Sequence, residues 1–370
     1  MKKKINVPYV DIAQQWKREK KDLIKIIDQT LSTGNYVGGD EINKFENNIE
    51  KKIGIKNCVA LNSGTDALTF GLYVLGVGRD DEVITTPNSF IASTASIVHL
   101  GAKPVFVDVK DDQNINPKLI ENKITKKTKA IMPVHLTGRV CDMEKIMKIS
   151  KKYKIPVIED AAQSIGSKYN NKFSGTFSSI GCFSAHPLKN LNAMGDSGYL
   201  VTNNNSFAKL IRDLRNHGMT NRNRVCNFGY VSRMDNLQAA ILNYRLAKLD
   251  NVINKRRENA KVYFNYLNSK NVFVPEEKKE EFNTYHTFVV QVKNRNALQK
   301  YLLEKGINTS IHYPIPIHLQ KASSKYNYKI GSFKKTEKQA KTILSLPINE
   351  NLTKLQIRYV CDIINKFYIK

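Results

Sequence analysis

The residues most able to do chemistry lie in one short stretch, Gly181-Cys182-Phe183-Ser184-Ala185-His186-Pro187-Leu188-Lys189-Asn190-Leu191, which precedes the turn Gly195-Asp196-Ser197-Gly198. Most lysines are solvated surface groups. Lys189 instead follows an apolar run, and an amine in such surroundings sheds its proton, turns nucleophilic and can form a Schiff base with a carbonyl. Ser184 adds a hydroxyl suited to a phosphate.

Three further segments suit the same kind of ligand. Ile155-Pro156-Val157-Ile158-Glu159-Asp160-Ala161-Ala162-Gln163 reads as a buried strand with an acid at its carboxyl end, where open α/β sheets bind ligands. A carboxylate there can pair with a protonated pyridine nitrogen and keep that ring an electron sink. Gln163, one helical turn on, can face a ring hydroxyl; equally, Asp160 can be the N-cap of a helix starting at Ala161. In Leu61-Asn62-Ser63-Gly64-Thr65-Asp66-Ala67-Leu68 a strand breaks into a helix. The free amides of that helix start, with the Thr65 hydroxyl and the Asp66 amide, would hold a phosphate, although Thr65 or Ser63 could simply cap the helix. Pro87-Asn88-Ser89-Phe90 brings an aromatic ring to the same sheet edge, where Phe90 either stacks on a planar ligand or fills the core.

Elements that could position these residues follow from the apolar pattern. Short runs at 57–61, 82–85, 104–109, 130–134, 156–158, 181–184 and 199–202 alternate with helical stretches, which predicts an α/β layer with a mainly parallel seven-stranded sheet. Residues 20–28 and a stretch from Glu41 read as helices, separated by the turn-rich 32–40. Residues 235–268 read as one or two long helices linking a large domain, residues 1–245, to a smaller α+β domain, residues 246–370. In the latter, 287–292 reads as a strand, and 296–305 and 352–367 as helices.

With 370 residues, 41% hydrophobic and 25% charged, the chain has the composition of a folded globular protein. A formal net charge of +26 raises a DNA-binding or regulatory role as an alternative. The lysines, however, are spread along the chain rather than clustered, so the expectation is no nucleic-acid partner and a field that favours anionic small molecules. Five scattered cysteines, Cys58, Cys141, Cys182, Cys226 and Cys361, indicate neither disulfides nor a metal site. No run is long and apolar enough for a membrane span, and the first residues lack the apolar region of a signal peptide, which points to the cytoplasm.

Over nearly its whole length the chain resembles the DegT/StrS-type nucleotide-sugar aminotransferases, a branch of the fold-type I pyridoxal-phosphate enzymes. The likeness runs from Gly34-Asn35-Tyr36-Val37-Gly38 through the four segments above, Arg233-Met234-Asp235-Asn236-Leu237-Gln238-Ala239-Ala240, and His312-Tyr313-Pro314-Ile315-Pro316-Ile317-His318-Leu319-Gln320. It implies pyridoxal 5'-phosphate bound covalently to Lys189, its ring nitrogen on Asp160, its hydroxyl near Gln163, Phe90 stacked on the ring, and Gly64, Thr65, Asp66 and Ser184 around the phosphate. It also implies a homodimer that passes an amino group from glutamate to a nucleotide-linked keto sugar, with Tyr36, His312, Tyr313 and His318 near that sugar. The segment 311–320 is similar to that of the branch acting on dTDP-3-keto-6-deoxyhexoses, which favours amination at C3, for a surface-glycan amino sugar; amination at C4 is the alternative. Relatives commonly carry an Asn that reaches across the subunit interface to the phosphate. Val231, which cannot donate a hydrogen bond from its side chain, stands there: either Ser232, Asn227 or a water substitutes, or the contact across the subunits is absent.

Overall fold

Side-chain alternation along β1 (Asn57–Leu61) explains how the main sheet is buried: Cys58 and Ala60 enter one hydrophobic core, while Val59 and Leu61 enter another on the opposite face. The computed structural model describes residues 5–369. The other strands are β2 (Glu82–Thr85), β3 (Lys103–Phe106), β4 (Thr128–Ile131), β5 (Ile158–Asp160), β6 (Ile180–Ser184) and β7 (Gly198–Thr202). Ladders give the orders β1-β7-β6-β5 and β3-β2-β4, and parallel bridges Ile131 to Val157 and Val134 to Asp160 join the two groups into the expected seven-stranded sheet. Only β7 runs against its neighbours. Helices cover both faces, as a sheet of this kind requires.

The carboxyl ends of β1, β2, β5 and β6 lie along one edge, and each is followed by a segment that bears a candidate residue. After β1 comes α3 (Gly64–Val74), after β2 comes α4 (Ile91–His99). The helix that Asp160 could cap from Ala161 is absent; a turn follows β5 instead, and Asp160 Oδ1 accepts the Ala162 N–H at 3.2 Å within it.

The long helical region proves to be two helices, α7 (Asn236–Leu246) and α8 (Leu249–Tyr266). Along α8 the packing changes partner: Leu249 and Ile253 belong to a core of the main sheet, whereas Ala260 and Tyr263 belong to a separate one. That second core lies against an antiparallel sheet of β8 (Val272–Phe273), β9 (Phe288–Val292) and β10 (Ile343–Leu346), with α9 (Arg295–Glu304) and α11 (Lys354–Phe367). Val7, near the start of the chain, packs into it too and exchanges backbone hydrogen bonds with Gly306 and Asn308. The first helix, α1 (Ile12–Leu31), is longer than its amphipathic stretch suggests, because Asp11 caps it through the Gln14 amide. No helix among the described residues is long and apolar enough to cross a membrane.

Candidate active site

A cavity of about 400 Å³ opens at the carboxyl edge of the sheet. Of the residues singled out from sequence, Gly64, Thr65, Phe90, Asp160, Gln163, Ser184, Lys189, His312 and Tyr313 line it.

Lys189 follows β6 in a turn in which its N–H donates to the His186 carbonyl at 2.8 Å. Burial pushes its amine down to about 8, against the opposing pull of the Asp160 charge. An ammonium that leaves water loses hydration that one carboxylate does not fully restore. Asp160 is 3% exposed and receives two donors, Ser93 Oγ at 2.7 Å on Oδ2 and the Ala162 amide on Oδ1. Burial raises its carboxyl above the usual range, while those donors and Lys189 pull the other way. Behind it, Glu159 is fully buried, bound by His135 Nε2 at 2.9 Å and by the amides of Gly175, Phe177 and Ser178, which locks the strand that carries Asp160.

The start of α3 has the shape of a cradle suited to a phosphate. A Cβ at Gly64 would lie 2.7 Å from Ser184 Cβ, and one at Gly198 would lie 2.3 Å from the Ser63 carbonyl carbon, so only glycine permits this approach of helix and strand ends. The amides of Gly64 and Thr65 belong to the first helical turn and have no intrahelical acceptor. Asp66 does not join them: its N–H is taken by Ser63 Oγ at 3.1 Å, its carboxylate by Ser232 Oγ at 2.5 Å, and it does not line the cavity. Ser63 is therefore the helix cap, and the expected Asp66 amide is not free for a phosphate. The same contact keeps Ser232, 1% exposed, within its own chain, which removes it as a replacement for the asparagine missing at Val231.

The outer wall comes from elsewhere. Phe90, the first-turn boundary of α4, is 55% exposed, with its ring 6.0 Å from that of Tyr313. His312 Nδ1 is 2.8 Å from Ser345 Oγ, and its ring stacks 5.8 Å from Tyr9. Burial, with the nearby Lys189 charge, pushes the His312 imidazole down to about 4, so it is neutral at ordinary pH. Gln163 Oε1 accepts the Thr137 N–H at 2.8 Å, which leaves its amide NH₂ to donate.

Besides Asp66, two expected residues lie outside the cavity. His318 packs 4.7 Å from the Phe333 ring with Nε2 3.1 Å from Glu337 Oε1, a buried histidine that ties its loop to a helix. Tyr36 is exposed, and its carbonyl accepts the Asn236 N–H at 3.0 Å. The cavity also contains residues that sequence reading passed over: Tyr9, Ser93, Arg256, His286 and Asn349. Of these only Ser93 leaves a trace in the sequence, standing three residues after Phe90.

The donor set suits a phosphorylated pyridine aldehyde: a cradle that a Cβ would fill, a carboxylate across the cavity, and a lysine whose amine is readily neutral. Residues 17–365 match the DegT/DnrJ/EryC1/StrS aminotransferase family. The chain is 39% identical to the dTDP-3-amino-3,6-dideoxy-alpha-D-galactopyranose transaminase of Aneurinibacillus thermoaerophilus, over 98% of this chain and 99% of that one. It is likewise 39% identical to the pleiotropic regulatory protein of Geobacillus stearothermophilus, again over 98% and 99% of the two chains. Its fold matches that of S. venezuelae DesV in complex with a ketimine intermediate, with a TM-score of 0.96, 33% identity and 99% of both chains covered. The chain belongs to the DegT/DnrJ/EryC1/StrS aminotransferase family and is a pyridoxal-phosphate-dependent aminotransferase.

Proposed function

We propose that this aminotransferase moves an amino group from glutamate to C3 of a dTDP-linked 3-keto-6-deoxyhexose, as a cytoplasmic homodimer that supplies an amino sugar for a surface glycan. The observation that carries the catalytic part is the meeting of Lys189 and Asp160 in one cavity beside the phosphate cradle. The sugar and its C3 position are favoured by the similarity to the Aneurinibacillus transaminase and by the segment 311–320.

In this reading the amides of Gly64 and Thr65 and the hydroxyls of Thr65 and Ser184 bind the cofactor phosphate. Asp160 would hold the ring nitrogen, Gln163 the ring hydroxyl, and Phe90 would stack on the ring. The bound cofactor supplies an electron-withdrawing ring that stabilises the charge left when a proton leaves the donor's α-carbon. Lys189 would anchor the cofactor and then serve as general base: Nζ would pass the proton of the glutamate α-carbon to the cofactor carbon that takes up the nitrogen, and in the second half would take that proton back and deliver it to the sugar carbon that gains nitrogen. An amine near pH 8 suits both directions, since it gives and takes protons at small cost. Neutral His312 and the Tyr313 hydroxyl offer hydrogen bonds to the sugar without adding charge.

Product analysis tests the proposal. With glutamate and separate supplies of 3-keto and 4-keto dTDP-6-deoxyhexoses, the 3-amino sugar is expected, and amination only at C4 would overturn the regiochemistry. Failure to aminate either sugar would overturn the assignment of a dTDP-6-deoxyhexose as the acceptor.

A further inference from the structure

Helix α4 performs two tasks within one turn. Phe90, its N-cap, lines the cavity, and Ser93, three residues later, lines it too and is 2% exposed with Oγ 2.7 Å from Asp160 Oδ2. The distance is that of a hydroxyl donating to an ionised carboxylate. Asp160 has few other supports: its remaining hydrogen bond is the longer one, 3.2 Å, from the Ala162 amide to Oδ1.

We propose that Ser93 is a positioning residue that fixes the Asp160 side chain and holds it ionised, so that the carboxylate reads the nitrogen of the cofactor ring. The inference rests on the assignment of Asp160 to that nitrogen. A buried carboxylate left with one long hydrogen bond would rotate or take up a proton, and a protonated Asp160 no longer attracts a protonated ring. Ionisable groups around Asp160 are Lys189, His135, Tyr313 and Cys182. Of these, His135 is committed to Glu159 at 2.9 Å, Tyr313 and Cys182 carry no positive charge, and Lys189 is committed to the cofactor aldehyde. When the cofactor is in place, the Ser93 hydroxyl is thus the main support for the carboxylate charge from the protein side. Because Phe90 is the N-cap of the helix that carries Ser93, one short segment bears on both the face and the nitrogen of the ring.

The test compares the affinities of the apo-protein for pyridoxal 5'-phosphate and for its 1-deaza analogue, in which carbon replaces the ring nitrogen, by equilibrium titration without substrates. Ser93→Ala should lower the preference for the natural cofactor by about tenfold or more, the loss expected for one charge-assisted hydrogen bond, while affinity for the analogue stays near that of the wild type. Ser93→Thr, which keeps the hydroxyl, should retain the preference. Equal weakening of both ligands by Ser93→Ala, or no change in their ratio, would overturn the proposal, because a merely structural serine cannot distinguish nitrogen from carbon in the ring. Asp160→Asn, measured alongside, separates the two levels. If its ratio collapses while that of Ser93→Ala does not, only the role of Ser93 falls; if its ratio is unchanged, the assignment of Asp160 falls and that of Ser93 with it.

Discussion

The floor and the outer wall of the cavity are built in different ways. The floor, comprising Gly64, Thr65, Asp160, Ser184 and Lys189, hangs on the ends of strands in a single sheet. Its geometry is set by ladder hydrogen bonds and by backbone approaches so close that Gly64 and Gly198 admit no Cβ. The wall, comprising Tyr9, His312 and Tyr313, comes from the chain start and from a loop tied to the second core by the Ser310 to Ser345 backbone pair. A floor held by backbone fixes one chemistry. A wall held by side chains on loops can change its shape without disturbing that chemistry, and so is the natural place for a choice among sugars.

That contrast predicts graded effects. Lys189→Ala should be the most damaging substitution, lowering the rate of amino transfer by about 10³-fold or more through the loss of the general base, as measured by nitrogen transfer from glutamate in single turnovers. Next, Gly198→Ala forces a Cβ into the Ser63 backbone and should cost about 1–3 kcal/mol in thermal unfolding, together with most of the cofactor retention. Wild-type stability and retention in that variant would show the cradle to be softer than the contacts imply.

The floor should also show its electrostatics directly. Burial disfavours the charged form of Lys189, so the neutral, nucleophilic amine becomes the main species as pH rises through about 8. The rate at which apo-protein captures pyridoxal phosphate should therefore fall about tenfold for each pH unit below that point and level off above it, a profile that stopped-flow absorbance records. At the wall, Tyr313→Phe should raise KM for the sugar about tenfold, the worth of one hydrogen bond, and leave cofactor affinity unchanged. Smallest is His318→Gln. It removes the buried contact with Glu337 and should lower stability by about 1 kcal/mol with kcat and KM unaltered, since His318 lies outside the cavity.

The same division governs what could be read from the sequence. Strands β1 to β7 are legible from short apolar runs, and the rule that ligands bind at their carboxyl ends points to Lys189 and Asp160, which line one cavity. Local competition was harder to foresee. Asp66 loses its amide to the Ser63 cap and its carboxylate to Ser232, and β5 ends in a turn rather than a helix although the Asp160 carboxylate accepts the Ala162 amide as a helix cap would. The wall was least legible. Tyr9 reaches the cavity only because Val7 pairs with Ile307, some 300 positions away in sequence, and His318 points into an aromatic cluster with Phe333 and Tyr328 that no local pattern announces. Contacts of that kind exist only once distant segments have packed.

Borohydride reduction of the holoenzyme followed by peptide mass mapping tests the central claim most directly, because reduction fixes the cofactor to whichever amine holds it. The pyridoxyl mass increment is expected on the peptide that contains Lys189, and on that lysine alone. An increment on another lysine, or none on a cofactor-saturated protein, would contradict the account.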